Sequence, residues 1–408
     1  MYRRGITALG AACAVALAIS ACSDGSSSAG SGSGDSSAIK VGILTSLGGS
    51  ASAGFSGTVS GVNARFAAYT ADGGKCADKT FDFIKGDDAS SAQGALTATQ
   101  KMIQQDKVDT VLDVSAFFFG AAQFATTTGK STPIIGGAFD GAKQWENSAN
   151  NLIPAGIVPN YSTTYSTTGD YFKSVGGTIV AGIAYESPAS QAGLEAGLKS
   201  AEAVGLKRGY INTSVAFGST DVGAIVLGII RSKADVVDLT INPDTSFAIV
   251  AGLNQAGYKP KAILSATGYG ADLLDSAPAV AAGQGVSFSL GWAPSEVKTA
   301  GTDRMTAAFK QYAGSKSGIP GFSQAMGWIT ADLYLHGLEL TGCNPDGPKL
   351  ISTLRPDKTW TANGLYPAPR DFTTIKAPKQ CLYFVRLKGN DFVPEPKASP
   401  LCGTVVSS

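Results

Sequence analysis

The sequence predicts an α/β fold built as two doubly wound, Rossmann-like lobes in series. Short apolar strands alternate with helical stretches from Ile39 to Ile135, the pattern of a parallel sheet covered on both faces. The alternation starts again after Pro154 and runs for a similar length. About 370 residues follow the N-terminal segment, and this length favours two lobes over one.

The first lobe, residues 38–154, is predicted to open with a buried strand over 39–44 and a long helix. Apolar side chains of this helix recur at spacings of four, three, four and three, which places them on one face. They are Phe55, Val59, Val62, Phe66 and Tyr69. The other predicted elements are a strand near 81–83, a helix over 90–105, a strand over 108–114, a helix over 117–127 and a strand over 133–135.

The second lobe, residues 155–285, repeats the alternation without a visible sequence repeat. Its predicted elements are helices over 162–174, 190–204, 221–232 and 246–257 and strands over 178–185, 210–215, 236–241 and 262–266. The chain is then expected to return to the first lobe over residues 286–345, with one strand and two helices. Residues 346–408 are expected to form a hinge and a C-terminal hairpin.

The N-terminal segment is organised as an export signal followed by a tether. Arg3 and Arg4 precede an apolar run of about a dozen residues, too short to span a bilayer. Residues 19–22, Ile-Ser-Ala-Cys, resemble the bacterial lipobox; the resemblance implies removal of residues 1–21 and a lipid anchor on Cys22, at the outer face of the cell membrane. Residues 22–37, rich in Ser and Gly, would hold a folded body about 20 Å from that membrane. The competing interpretation is an ordinary secreted protein with a chance cysteine here.

Composition argues against several classes of function. The net charge is +1 and only 15% of residues are charged, so nothing predicts a nucleic-acid partner. The single histidine, His336, has no acid or nucleophile at a useful spacing and is expected to pack or to face solvent. Without a nucleophile elbow, a paired His/Asp arrangement or a metal-ligand cluster, the sequence predicts a non-enzyme with no metal and no cofactor.

Four cysteines remain after Cys13 and Cys22 are set aside, an even number that favours disulfides in an oxidising compartment. Four cysteines allow three pairings. Cys381 begins a predicted hairpin and Cys402 lies just past its return strand, which favours a Cys381–Cys402 bond worth about 3 kcal/mol. Cys76 and Cys343 would then form the second bond.

Five segments, in order and spacing, resemble substrate-binding lipoproteins of ABC importers with the type I periplasmic-binding fold, above all the leucine/isoleucine/valine-binding proteins. They are Ile43–Gly49 with its Gly/Ser loop, Val111–Ser115, Pro133–Asp140, Phe322–Leu340 and the final pair around 384–394. The resemblance implies two lobes joined by a three-strand hinge, with a small-molecule ligand between them. It also implies a monomer that delivers this ligand to a membrane permease.

Four positions of this sequence correspond to positions of the family's ligand site. Ser115 and Ala138 match residues that hold a ligand carboxylate, but Asp140 replaces a threonine and Tyr269 replaces the acid that meets an ammonium. A carboxylate at Asp140 would repel a ligand carboxylate, so the resemblance with its departures predicts a ligand other than a standard branched-chain amino acid. Asp140 as a helix cap is the structural alternative. Glu186 is a second carboxylate candidate, with a solvated rim position as its alternative.

Aromatic residues at strand ends predict a roomy, aromatic-lined site. Phe117 begins a run of three phenylalanines that cannot all face one core on a helical turn. Phe139, Tyr269 and Trp292 lie at comparable positions, and internal packing is the alternative for each. Asp87-Asp88, by contrast, is predicted to form caps or turns.

The leading functional hypothesis is therefore an extracytoplasmic receptor that closes its lobes on a small organic ligand and performs no chemistry. The alternatives are a branched-chain amino acid or amide binder, a ligand sensor of the same fold that docks on a signalling partner, a secreted hydrolase and a purely structural surface protein.

Overall fold

Residues 38–156, 163–374 and 377–407 are described by the computed structural model. The predicted signal peptide, the tether and the lipidated Cys22 lie outside the described residues. Among the described helices, none combines the length and apolar character needed to cross a membrane.

A five-stranded parallel sheet forms the centre of the first lobe, in the order β2-β1-β3-β4-β5. Strands β1, β3, β4 and β5 are almost wholly buried, whereas the edge strand β2 is partly exposed. Ile39 of β1 aligns with Phe81 of β2, and Val41 with Thr110 of β3. Ser91 caps α3 by accepting a hydrogen bond from the amide of Gly94. The elements are β1 (Ile39–Thr45), α1 (Ser52–Phe55), α2 (Thr58–Ala71), β2 (Phe81–Asp87), α3 (Ala92–Gln100), β3 (Thr110–Val114), α4 (Ala122–Thr126), β4 (Ile134–Gly136) and β5 (Leu152–Pro154).

The second lobe contains a larger mixed sheet with helices between its strands. In chain order, the elements from residue 164 to residue 290 are β6 (Thr164–Tyr165), α5 (Thr167–Ser174), β7 (Ile179–Tyr185), α6 (Pro188–Ala203), β8 (Lys207–Val215), α7 (Gly223–Ser232), β9 (Val236–Thr240), α8 (Pro243–Gln255), β10 (Ala262–Ser265), α9 (Ala271–Leu274), α10 (Ala277–Ala282) and β11 (Ser287–Leu290). Strands β8, β7, β9, β10 and β11 lie side by side in parallel. Pro188 at the first turn of α6 and the Ser187 cap fix the start of that helix.

Three helices then return to the first lobe: α11 (Ala300–Tyr312), α12 (Phe322–Leu340) and α13 (Gly347–Leu354). The last strands, β12 (Lys379–Lys388), β13 (Asp391–Pro394) and β14 (Leu401–Ser407), join the second sheet by antiparallel pairing. Strand β11, which the sequence analysis placed at the start of the returning segment, instead pairs with β10 and β12. Residues 346–374 likewise pack on the first lobe, where Arg355 donates to the carbonyls of Asn150 and Leu152.

In the core of the first lobe, α2 packs closely against α12. Most of α12 is buried, and two glycines let the backbones approach, because a Cβ at Gly61 would clash with the Gln324 carbonyl and one at Gly327 with the Thr58 carbonyl. One buried ion pair crosses the contact: Arg65 Nε donates to Asp332 Oδ1 over 2.6 Å.

Both predicted disulfides are present. Cys76, after α2, is bonded to Cys343, after α12, and Cys381 of β12 is bonded to Cys402 of β14. Cys381 and Cys402 are direct register partners of neighbouring antiparallel strands.

Candidate functional site

The two lobes meet at the carboxyl ends of their parallel strands, the position at which open α/β sheets bind ligands. Contacts cross between the lobes at several points. Gly54 lies against the Asn242 side chain, and Gly141 lies against Pro188. The structure is therefore a closed arrangement with an interlobe cleft.

Aromatic rings gather in this cleft. Phe117 of the first lobe lies 5.6 Å from Phe217 of the second, measured between ring centroids, and Phe217 stacks on Tyr185 at 4.2 Å. A second group surrounds Phe322, at the start of α12. Its members are Phe55 at 6.1 Å, Phe139 at 5.2 Å and Trp292 at 6.1 Å. We call these seven residues the interlobe aromatic cluster.

A groove of about 520 Å³ opens from this cluster and is lined by both lobes. Phe322 belongs to both the cluster and the groove. The first lobe contributes Ala53, Gly54, Ser56, Gly57, Gly321, Phe322, Ser323 and Gln324, and the second contributes Pro243, Asp244, Phe247, Thr267, Gly268, Tyr269, Asp272, Leu273, Ser276 and Ala279. This interlobe groove is the candidate binding site.

Ser115 lies at the end of β3, where the sequence predicts it, but its hydrogen bonds are made inside the lobe. Its Oγ donates to Asp88 Oδ2 over 2.5 Å and accepts from the amide of Phe117 over 3.0 Å. Asp88 also forms the turn that the sequence predicts, because its Oδ1 accepts from the amide of Ser90 over 2.7 Å. Burial raises the pKa of this carboxyl. Ser115 thus positions the Phe117 backbone of the cluster.

The Gly/Ser loop after β1 is tied down by its neighbours. Asp87 Oδ1 accepts hydrogen bonds from the amides of Leu47 and Gly48, and Ser90 Oγ accepts from Ala51. These amides, together with that of Ala89, lower the pKa of Asp87 against the effect of its burial. The amides of Leu47, Gly48 and Ala51 are therefore already used within the protein.

Ala138 and Asp140 both lie in the loop after β4. Ala138 has φ of 56°, a left-handed conformation that costs an alanine about 1 kcal/mol, and it is buried. Asp140 is 1% exposed and points into the first lobe, where its Oδ1 accepts from Trp145 Nε1 over 2.6 Å. It does not line the interlobe groove. Burial raises the pKa of Asp140 to about 7.

Tyr269 lines the groove, but its hydroxyl does not face a ligand. It donates to Glu296 Oε2 over 2.8 Å and accepts from the Ser295 amide over 2.9 Å. Burial and the Glu296 charge raise the pKa of Tyr269 well above its usual value, so the phenol stays neutral. Glu186 is exposed, and it is not among the residues of the groove.

Trp292 follows β11 at the second crossover between the lobes. Its ring is 3% exposed and packs on Phe322, and its Nε1 is a buried donor without a hydrogen-bond partner. An unsatisfied buried donor costs about 1–3 kcal/mol, so a ligand acceptor that reached it would gain correspondingly.

Of the predicted site residues, Phe117, Phe139 and Trp292 meet in the aromatic cluster and Tyr269 lines the groove. The sequence analysis missed Phe55, Phe217 and Phe322. Phe55 was counted as core because it fits the helical stripe, and Phe217 lies in an irregular loop without periodicity. Among the described residues, no group of three His, Cys, Asp or Glu side chains is placed to hold a metal ion.

Solved structures with the same fold cover nearly the whole chain. A solute-binding protein of an ABC transporter from R. palustris, in complex with benzoate, is 19% identical, with a TM-score of 0.72 over 91% of this chain and 98% of that one. A leucine-binding protein from Thermotoga maritima is 16% identical, with a TM-score of 0.70 over 88% and 98%. A fatty acid ABC transporter substrate-binding protein from Thermomonospora curvata is 17% identical, with a TM-score of 0.69 over 91% of each chain.

No curated protein sequence matches the chain significantly. The family model for periplasmic binding proteins matches residues 38–391, which include the first lobe and the second lobe as far as β12. Together with the two-lobed α/β architecture and the cleft at the strand ends, this match shows that the chain belongs to the periplasmic binding protein family, with the type I fold.

Proposed function

We propose that this protein is the solute-binding lipoprotein of an ABC importer, working outside the cytoplasm. It captures one small organic molecule between its lobes and delivers it to a permease, without chemistry. The observation that carries the proposal is the interlobe groove of about 520 Å³, which residues of both lobes line, Phe322 among them. This volume lies within the range of small-molecule sites, and residues of both lobes would contact the ligand, so binding would favour closure.

The ligand has an aromatic or other apolar body and at least one acceptor oxygen. Phe247, Tyr269 and Phe322 line the groove and offer ring surface to such a body. Trp292 is not one of the groove residues, but its ring packs on Phe322, which is, and its unpartnered Nε1 would be satisfied by an acceptor oxygen that extended past Phe322. The R. palustris relative is in complex with benzoate and the T. curvata relative is a fatty acid protein, which supports this class.

A branched-chain amino acid or an amide is the second candidate ligand. Asp244 and Asp272 line the groove and would attract an ammonium or amide group. Asp140 is buried inside the first lobe, so it does not place a charge against a ligand carboxylate in the groove. Repulsion by Asp140 therefore no longer disfavours an amino acid as the ligand, while the aromatic lining still favours the first ligand class.

The anchor completes the proposal. Cys22 would carry the lipid after removal of residues 1–21, and residues 22–37 would serve as the tether. The monomeric body would then sample solute at the outer face of the cell membrane. A ligand sensor of the same fold would bind the same solute, but it would not stimulate the ATPase of a reconstituted permease, whereas a transport receptor would.

The test is a thermal-shift screen of the compact unit Ser37–Ser408 with benzoate, 4-hydroxybenzoate, a medium-chain fatty acid and leucine. A ligand at a hundred times its Kd stabilises the folded protein by about 2.7 kcal/mol. We expect an aromatic or aliphatic acid to raise the melting temperature, and Phe322→Ala to abolish the shift.

Leu340→Ala is the matched control, because Leu340 ends the same helix and is 44% exposed far along α12 from the groove. If leucine alone stabilised the protein, the ligand would be a branched-chain amino acid or an amide and not an aromatic or aliphatic acid. A shift that survives unchanged in Phe322→Ala would place the site outside the interlobe groove. No shift with any of the four would contradict both ligand classes.

A further inference from the structure

Three carboxyl groups lie close together in the interior of the first lobe, near the carboxyl ends of β2, β3 and β4. Asp88 follows β2, Asp113 lies in β3 and Asp140 follows β4; they are 0%, 1% and 1% exposed. Ser115 joins two of them, since its Oγ donates to Asp88 and its amide donates to Asp113 Oδ1 over 3.1 Å. Trp145 Nε1 donates to Asp140 Oδ1 from the other side.

The charged groups that face these carboxyls are all acidic. Asp140 and Asp88 act on Asp113, and Asp87 acts on Asp88. Lys143, on the short turn that carries Trp145, is exposed. Within the described part of the chain, no cation forms an ion pair with Asp88, Asp113 or Asp140.

Asp140 Oδ2 is buried without a hydrogen-bond partner, and only the Trp145 indole and the amides of Asp140 and Ala142 oppose the effect of burial on this carboxyl. A buried carboxylate without a cation is costly, and two neighbouring buried carboxylates repel each other, so such groups keep protons to a higher pH than usual. Consistently, burial raises the pKa of all three carboxyls, that of Asp140 to about 7.

These carboxyls hold the two loops through which the first lobe meets the second. Asp88 and Asp113 fix Ser115, which in turn binds the amide of Phe117, the residue against Phe217. Asp140 precedes Gly141, which packs on Pro188 of the second lobe. Repulsion among ionised carboxyls would therefore disturb the loops at the interlobe contacts.

We propose that Asp88, Asp113 and Asp140 form a proton-binding site that couples closure of the lobes to external pH. The protonated site holds the loops in the closed arrangement, and proton loss as pH rises through about 7 favours opening. The consequence for solute capture rests on the proposed function, whereas proton binding and closure do not.

The experiment uses the ligand-free unit Ser37–Ser408 in an Asp238→Asn background, because Asp238 is a second buried carboxyl whose pKa burial raises to about 7. Trp145 is the reporter. The emission difference between this protein and its Trp145→Phe variant should change with a midpoint near pH 7. Asp140→Asn should remove at least two thirds of that change. An identical transition in Asp140→Asn, or none between pH 5 and 9, would overturn the proposed site.

Closure is measured by small-angle scattering on the same proteins. The radius of gyration should increase from pH 5.5 to pH 8.5 in the Asp238→Asn protein and stay constant when Asp140→Asn is added. If the added substitution prevents folding, Asp113→Asn serves in its place. A radius that does not change with pH would refute the coupling. Failure to find any ligand would count against the proposed function alone, since neither measurement contains solute.

Discussion

Phe117 of the first lobe and Phe217 of the second face each other across the cleft, with ring centroids 5.6 Å apart. Phe117 is held by Ser115, and Phe217 is held by stacking on Tyr185. The pair therefore joins two strand ends, one from each lobe, and contributes to the closed arrangement.

Phe217→Ala should shift the ligand-free protein toward an open form. An aromatic pair contributes about 1 kcal/mol beyond its buried area, which changes a closed-to-open ratio by about fivefold. Small-angle scattering should show a larger radius of gyration for this variant. Leu227→Ala, in the same lobe but 52% exposed, should leave the radius unchanged. Equal radii for both variants would remove the pair from the closure mechanism.

Asp238 in β9 should make stability depend on pH. It is 5% exposed, and burial alone raises its pKa to about 7. The folded state therefore binds a proton that the unfolded state releases at lower pH, so this contribution is full below about pH 4 and is lost as pH rises through about 7.

Asp238→Asn should accordingly gain stability relative to the wild type as pH rises from 5 to 8, as measured by urea unfolding. The slope contributed by one proton is at most about 1.4 kcal/mol per pH unit. Asp303→Asn is the control, since Asp303 has a side chain 62% exposed. Parallel profiles for wild type and Asp238→Asn would contradict this assignment.

The two disulfides should differ in what they contribute to stability. Cys76 and Cys343 are separated by 267 positions and Cys381 and Cys402 by 21. In the chain-entropy description this difference in loop length makes the first bond worth about 2 kcal/mol more. The free energies of unfolding of Cys76→Ser/Cys343→Ser and Cys381→Ser/Cys402→Ser should show this order. The reverse order would mean that residual structure in the unfolded chain, and not loop closure, determines how much each disulfide contributes to stability.

Loss of Asp332 should destabilise the first lobe severely. Its carboxylate accepts hydrogen bonds from Arg65, Trp360 and Asn363. Asp332→Ala leaves the buried Arg65 unpaired, a change that costs about 3–5 kcal/mol in thermal or chemical unfolding. Asp106→Ala, which breaks the exposed pair with Lys101, should cost less than about 1 kcal/mol. If both variants lost a similar free energy of unfolding, burial would not be what makes the Arg65–Asp332 pair important for stability.

The sequence predicted the fold well where local patterns repeat. Alternating apolar strands and helical stripes identified both lobes, because the inner strands β1, β3, β7 and β9 are buried on both faces of their sheets. The pairing of Cys381 with Cys402 was predicted correctly, although Cys402 lies in a strand of its own, β14. The connection of β11 to the second sheet was not visible, because its partners β10 and β12 are far apart in sequence.

The site was harder to predict than the fold, because side-chain direction depends on tertiary partners. The position of Asp140 after β4 was clear, but Trp145, five positions later, binds its carboxylate inside the lobe. Asp88 forms the turn that the sequence predicts, by accepting from the Ser90 amide, but only the folded chain brings Ser115 to it from 27 positions away. Phe217 has no periodic neighbours that would mark it, and only the approach of Phe117 from the first lobe gives it a role.

The place of β12 and β14 in the second sheet determines when the second lobe can finish folding during synthesis. These strands lie in residues 379–407, after the other elements of both lobes, yet β12 lies between β11 and β14 and not at a sheet edge. Until they are synthesised, β11 presents an open edge, a surface that invites pairing with other chains. The second lobe can thus be completed only after residues 379–407 have been made, and the disulfide between Cys381 and Cys402 then ties β12 and β14 together.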